Sequence, residues 1–331
     1  MPITSKGLVS TPFDKTLDKI YNLTMMEHPS EYDKVFKVRS AIKGPNETQA
    51  EMSGLGLPTE LGEGEGVIYT NPKDGNKITL EYQWSGNGYT VTRQALDDEL
   101  YGQIRGLPKA LAKSMRVFAD IKAFELFNSA ETASQLANSK DGKALCQNSG
   151  HVLLNPYDGV TAYHNIPTTS SGDLSETTFK QALEYYDGVV DEDGYPIKLD
   201  PSMLLCSIED KYIAHRLHTQ MYGGSSDAGG LGATLTTSGS VENAHMMNLS
   251  NPENGFVNGW TPFDSRWLSN DRWFLLSADH DAQFVWKTKP EQESEKEFDT
   301  GNTKYKALQR FGVWCPEYRG VFGNISGNTA T

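Results

Sequence analysis

His215 and His218 stand three residues apart, so a helix would turn both imidazoles to one face, as at the start of a divalent-metal site. A metal-dependent hydrolase could be built on such a pair. No carboxylate or third histidine is placed beside them to complete a ligand set, and surface or half-buried histidines are the plainer reading. Asp191, Asp193 and Gly194 match the middle of a calcium loop, but Val189 occupies the first-ligand position, which leaves a tight turn. Gly54-x-Gly56 and Gly62-x-Gly64-x-Gly66 look like a phosphate cradle. No buried strand leads into them, no helix starts after them and no Gly-Lys-Ser/Thr follows, so they read as glycines of a flexible arm. A Gly-x-Ser-x-Gly elbow is absent, and Cys146, Cys206 and Cys315 sit among apolar neighbours, as reduced structural thiols do. Trp260, Trp267, Trp273 and Trp286 could line a ligand groove, with core and subunit contacts as the simpler use. Nothing in these patterns asks for an enzyme, a metal or a cofactor.

The elements around these residues are more telling. Residues 174–218 hold a helix with Phe179, Ala182, Leu183 and Tyr186 on one stripe, capped by Ser175 and closed by Gly188, where a left-handed residue is expected. A tight turn follows through Asp191 to Gly194, and Pro201 blocks helical continuation. Met203 to Cys206 is a short apolar run, as in a strand covered on both faces, and Ser207 with Asp210 starts a second helix. The module is helix, strand, helix.

Upstream, Phe13, Leu17, Ile20 and Tyr21 form one amphipathic patch in polar sequence, suited to an arm that packs onto something else. Residues 34–90 are rich in glycine and carry Pro45, Pro58 and Pro72; strand-like runs at 67–70 and 78–82 flank a hairpin-type turn at 71–76. So long a stretch with so little apolar content cannot build much core. It fits an extended hairpin laid over a neighbouring chain, with its edges covered only in an assembly. Thr92 then caps a helix with Leu96, Leu100 and Ile104 on one face. Arg105 to Pro108 should break or kink it, and it resumes through Leu111, Met115, Phe118, Ile121 and Phe124 for about 30 Å. A Gly/Ser/Thr-rich loop is expected at 222–242. Strands are expected at 273–276, 283–286 and 311–314, with the acidic stretch 289–299 as a solvated loop.

At 331 residues, 37% hydrophobic and 22% charged, the chain can form one large or two smaller domains. A formal net charge of −13 argues against a basic groove that grips nucleic acid, although it is compatible with lining a compartment that holds DNA. No run of about 18 apolar residues provides a membrane span. The first residues lack the charged start and apolar core of a signal peptide, and the three cysteines fit a cytoplasmic setting.

The order of these elements resembles the tailed-bacteriophage major capsid proteins, whose shell fold is shared with encapsulins. The resemblance is carried by TVTRQALDD from Thr90, LCQNSGH from Leu145 to His151, the module at 174–218 and RFGVW from Arg310 to Trp314. It implies an α+β phage major capsid fold with an N-terminal arm (1–33), an extended β-hairpin loop (34–90) and a peripheral domain with a spine helix (91–174). An axial domain (175–285) and C-terminal return strands of the peripheral domain (286–331) complete it. It also implies self-assembly into hexamers and pentamers of an icosahedral shell around double-stranded DNA, in a virion assembled in the host cytoplasm. The partners it implies are further copies of the chain, a separate scaffolding protein, a portal protein, a decoration protein and DNA contacted without sequence preference. There is no room for a long cleaved scaffolding segment ahead of the arm, so none is expected. Phe13, Leu17, Tyr69, Lys73, Asp74, Lys77, Tyr82 and Trp84 are the candidate inter-subunit contacts. Lys73 and Lys77 lie where some relatives cross-link, though hairpin tips commonly carry lysine for solubility. An encapsulin-like nanocompartment fits the same residues, and its cargo would distinguish it.

Overall fold

The computed structural model describes residues 12–27, 29–55, 57–58, 60–64, 66–67, 69, 71–97, 104–132, 139–147, 150–152, 162–168, 172–222 and 259–324. The glycine-rich loop expected at 222–242 lies outside these beyond its first residue, as do Leu100 and the side chains of Phe13 and Leu96. In chain order the elements are α1 (Pro12–Glu27), α2 (Tyr32–Val35), β1 (Lys37–Ser40), β2 (Asn46–Met52), β3 (Asp74–Glu81), β4 (Gln83–Val91), α3 (Arg93–Asp97) and α4 (Gly106–Asn128). They continue as β5 (His151–Val152), β6 (Ala162–Tyr163), α5 (Glu176–Asp187), β7 (Pro201–Ser207), α6 (Lys211–Tyr222), β8 (Thr261–Ser265), β9 (Trp273–Ser277), β10 (Gln283–Lys296), β11 (Thr303–Trp314) and β12 (Val321–Gly323). Chain contacts gather these into two units, one from 1–47, 79–124 and 282–314, the other from 48–78, 125–281 and 315–331.

The first unit is a four-stranded sheet in the order β1-β10-β11-β4, with β1 parallel to β10 and the other pairs antiparallel. Its core is aromatic: Tyr32 stacks on Phe284 at 4.2 Å, Phe284 on Phe311 at 4.9 Å, and Trp286 meets both phenylalanines. α4 contributes Leu111, Ala112 and Met115, which close over Tyr21 of α1 and Ala307 of β11. Leu17 packs with Val91, Ile104 and Tyr305. The amphipathic patch of the N-terminal segment is therefore spent on its own chain at Leu17 and Tyr21. Thr92 Oγ1 accepts the Ala95 N–H at 3.3 Å and starts α3, as its sequence position predicts.

On α4, Asp120 is buried, and its Oδ1 accepts the N–H groups of Glu31 (3.0 Å) and Tyr32 (3.2 Å), which fixes the entry into α2. Burial outweighs those two donors and raises its pKa to about 6. The protonated acid is thus favoured by folding; the stabilisation is complete below the ordinary carboxylate value and is lost as pH rises through about 6. Asp120→Asn keeps an acceptor and cannot ionise. Its melting point should gain on that of the parent between pH 4 and 7, by the equivalent of about 2–3 kcal/mol. A difference that stays flat across that range would disprove this account of the site.

The acidic stretch expected as a loop at 289–299 is instead mostly strand: β10 runs to Lys296 and pairs with β11 back to Thr303. Apolar periodicity misses it because no apolar face exists. Glutamates face lysines across the ladder, with Glu293 opposite Lys306 and Glu295 opposite Lys304, and Lys306 Nζ lies 2.8 Å from Glu293.

The second unit holds the sheet β12-β9-β7-β8, with β7 parallel to β8 and antiparallel to β9. α5 and α6 supply Phe179, Ala182, Tyr186, Ala214 and Leu217 to a core with Leu204, Cys206, Trp260, Trp273, Leu275 and Phe322. Tyr186 donates to Leu275 O at 2.6 Å and Trp273 Nε1 to Gly172 O at 2.9 Å, so these two polar tips are satisfied in place. Ser175 caps α5 with Thr178 as its reciprocal partner, and Ser207 Oγ accepts the Asp210 N–H at 3.3 Å ahead of α6. Gly188 ends α5 at φ −101°, without the expected left-handed turn; its N–H closes onto Glu184 and Tyr185 carbonyls. The C-terminal strand β12 joins this sheet rather than the first. A Cβ on Gly323 would lie 2.1 Å from the Phe274 ring, so only glycine allows this approach.

The hairpin differs from expectation too. β3 pairs with β2, and Val67 and Tyr69 of the expected first strand are not in strand. β2 turns Glu47, Gln49 and Glu51 to its more covered face, a polar alternation that carries no hydrophobic signal.

Candidate assembly surfaces

The β2–β3 ladder closes at Ser53, whose N–H donates to Lys73 O at 3.0 Å while its hydroxyl accepts the Lys73 N–H at 2.9 Å. Between these residues Leu55, Leu57, Leu61, Val67 and Tyr69 are all exposed, Tyr69 to 91%. No lysine or arginine occurs from 44 to 72, while Glu60 and Glu63 are exposed, so the segment is both apolar and acidic. So much exposed apolar side chain in one short segment is uncommon on the surface of a chain that stays single.

At the root of this segment Glu51 is 4% exposed and Ser53 is buried. Gly54 brings its backbone so close to Asp193 that a Cβ would stand 2.1 Å from the carboxylate. Arg319, also buried, donates from Nε to Val190 O (2.8 Å) and from Nη1 to Glu317 (2.7 Å) and Glu192 (3.3 Å). Asp141 accepts from His151 Nδ1 at 2.7 Å and from Ser139 at 2.6 Å, and the His151 ring stacks on Tyr318 at 3.7 Å. Lys140 reaches Glu317 at 3.3 Å. Burial, then Glu192, raises the Glu51 pKa; burial also raises that of Glu192. Burial would raise Asp141 as well, but the His151 bond overrides it and holds that carboxyl low.

In the first unit Glu47 accepts from Arg39 Nη2 at 2.5 Å, from the Ile42 N–H at 2.7 Å and from the Tyr82 hydroxyl. Burial pushes its pKa up, but these donors prevail and bring it to about 2. A groove of about 530 Å³ lies in the same unit, lined by Met25, Met26, Pro29, Arg116, Trp286 and Lys289 among others.

The predicted contact residues divide accordingly. Leu17 is wholly covered by its own chain and Tyr82 is 6% exposed, so neither keeps surface for a neighbour. Tyr69, Lys73, Asp74, Lys77 and Trp84 are exposed. Lys73, Asp74 and Lys77 sit together at the start of β3; Trp84 belongs to β4, where Arg310 lies 5.4 Å from its ring. The side chain of Phe13 is outside the described residues. Leu55, Leu57 and Leu61 were not among the candidates, although their apolar type inside a glycine-rich acidic stretch was signal enough. Arg319 and its carboxylates gave none, because they come from four separate stretches of the chain.

His215 is exposed and the partly buried His218 meets Trp260 edge-on at 5.1 Å; burial, then His215, lowers its pKa. Among the described residues no three His, Cys, Asp or Glu side chains are grouped to hold a metal. All three cysteines are buried free thiols, and burial raises the Cys206 thiol to about 12, far from a nucleophile. No helix among the described residues is long and apolar enough to cross a membrane.

A family model described as phage capsid protein matches residues 80–324. No curated protein matches the chain. Solved structures do: Mycobacterium phage Patience (TM-score 0.54, 11% identity, covering 96% of this chain and 88% of that one) and the capsid of cyanophage P-SCSP1u (0.52, 12%, 91% and 89%). The capsid of an empty GTA particle is similar as well (0.52, 10%, 99% and 95%). At these identities the likeness is one of fold, and the mixed α+β architecture described above is the one these shell proteins share.

Proposed function

Because the chain belongs to the phage capsid protein family, as a structural major capsid protein, we propose that its copies assemble as hexamers and pentamers of an icosahedral shell enclosing double-stranded DNA. The observation that carries this reading beyond the family is the acidic, apolar segment between Ser53 and Lys73, whose leucines and tyrosine stand exposed on the single chain. Rings and closed shells need heterologous contacts, in which a projecting segment of one copy meets a different surface of the next. In this reading 1–33 is the arm, 34–90 the extended loop, 91–174 with 286–331 the peripheral domain, and 175–285 the axial domain around the symmetry axes. The partners are a separate scaffolding protein, a portal protein and a decoration protein, in a particle built in the host cytoplasm. The chain's role is mechanical, without catalysis. With a net charge of −13 it meets DNA sparsely and without sequence preference.

Negative-stain microscopy with sedimentation, on the protein alone and with a candidate scaffolding protein, tests the proposal. Closed shells or discrete hexamers and pentamers are the expected result. A stable monomer or dimer under every condition, with 34–90 resistant to protease, would refute it.

A further inference from the structure

Glu51 occupies an unusual position for a carboxylate. It is almost fully covered, and apart from Arg319 the charges that act on it are negative: Glu192 from the turn after α5, Asp141 from the turn at 139–143 and Glu317 from the segment before β12. The cations on hand are already engaged. Arg319 is shared by Glu192, Glu317 and the Val190 carbonyl, Lys140 is with Glu317, and Lys143 Nζ donates to Gly150 O at 2.5 Å. His151 has its Nδ1 on Asp141, and the remaining group in the field, Tyr318, lies under His151 and Arg319. Glu51 itself forms no ion pair among the described residues. Three residues further on, Gly54 is pressed against the Asp193 carboxylate, so the cluster touches the chain at the point where the exposed segment departs.

We propose that the carboxylates gathered around Arg319 form a proton-sensitive latch on the root of the 54–72 segment, with Glu51 as its moving part. When Glu51 carries a proton it sits in the cluster as a neutral, covered group, and β2 is held down as far as Ser53. When it ionises, a further negative charge joins Glu192 and Glu317, which already share the Arg319 guanidinium, with Asp141 also acting on it, and the root is driven toward water. The raised pKa of Glu51, due to burial first and Glu192 second, agrees with this direction. Asp141, held low through His151, and Arg319, held charged by Glu317, remain fixed charges against which Glu51 titrates. The latch deepens the assembly reading, on which its biological use rests: it would set the angle at which the segment is offered to a neighbour.

Hydrogen exchange on the purified full-length, unassembled chain tests it without reference to shells. Rates at 51–55 and 71–75 are measured from pH 5 to pH 8, each divided by the intrinsic rate at that pH. In the parent, protection should fall as pH rises. In Glu51→Gln, which is nearly isosteric and cannot ionise, it should stay level, leaving the parent exchanging severalfold faster at the top of the range. Glu60→Gln, which removes an exposed carboxylate from the same segment, should keep the parent's pH dependence. A pH dependence in Glu51→Gln equal to the parent's would overturn the proposal, as would its equal loss in Glu60→Gln. Failure of shell formation would count against the assembly reading and leave these rates unaffected.

Discussion

Replacing Leu55, Leu57 and Leu61 together by serine is expected to abolish shell formation while leaving the single chain folded. All three are exposed in the isolated chain, so unfolding free energy should change by less than about 1 kcal/mol. Buried against a neighbour, each leucine contributes at least about 1.5 kcal/mol, and together they approach a thousandfold or more in the concentration needed for assembly. Light scattering during assembly, alongside a denaturant melt of the monomer, separates the two effects. Shells forming at the parent's concentration would remove this segment from the interface.

Arg319→Met should be the most damaging single change in the second unit. The methionine fills part of the space but leaves Glu192 and Glu317 without the cation they share, and Glu51 without the positive charge that offsets them. Removing one member of a buried charged group costs about 3–5 kcal/mol, which can exceed what a domain has in reserve. The sign with pH is fixed. Without Arg319 the Glu51 and Glu192 carboxyls, already raised by burial, rise further, so the penalty is full at neutral pH and is relieved as pH falls and they protonate. Chemical denaturation at pH 5 and pH 7.5 would read both. A loss below about 1 kcal/mol at the higher pH, or one that grows on acidification, would mean that Arg319 does not hold the cluster together.

What could be read from residue order was the part governed by apolar periodicity and caps. Phe179, Ala182 and Tyr186 with Ser175 define α5, the run at 203–206 defines β7, and the spaced apolar residues from Leu111 to Phe124 define α4. Each of these states its own environment within one or two turns of chain. The elements that escaped are those whose partners are remote and polar. β2 covers a face of Glu47, Gln49 and Glu51, and the outer half of β10 has its glutamates opposite lysines nine and thirteen residues on, across a turn. Tyr82 shows the converse: it belongs to a strand-like run in a glycine-rich stretch, yet its hydroxyl is committed to Glu47 and its ring is covered. The root cluster was illegible for the same reason. Glu51, Asp141, Glu192 and Arg319 acquire meaning only once separate turns are folded together.

The charged ladder of β10 and β11 carries information of an unusual kind. With Glu291, Glu293 and Glu295 on one strand and Lys304 and Lys306 on the other, a slip of two residues in either direction still sets glutamate against lysine. Charge therefore selects which side of the ribbon each residue faces but is indifferent to register. Register comes from the two ends: the aromatic pairing of Phe284 and Trp286 with Val313 and Phe311, and the turn in which Glu297 N–H meets Asn302 O and Gly301 N–H meets Glu297 O. Between these anchors the other face of β11 adds its own control: Tyr305 and Ala307 are buried in the core, and Thr303 to Phe311 are paired residue by residue with β4. A length change that the charges would tolerate would therefore pull these two side chains out of their packing, so the buried face keeps the measure that the charged face leaves open.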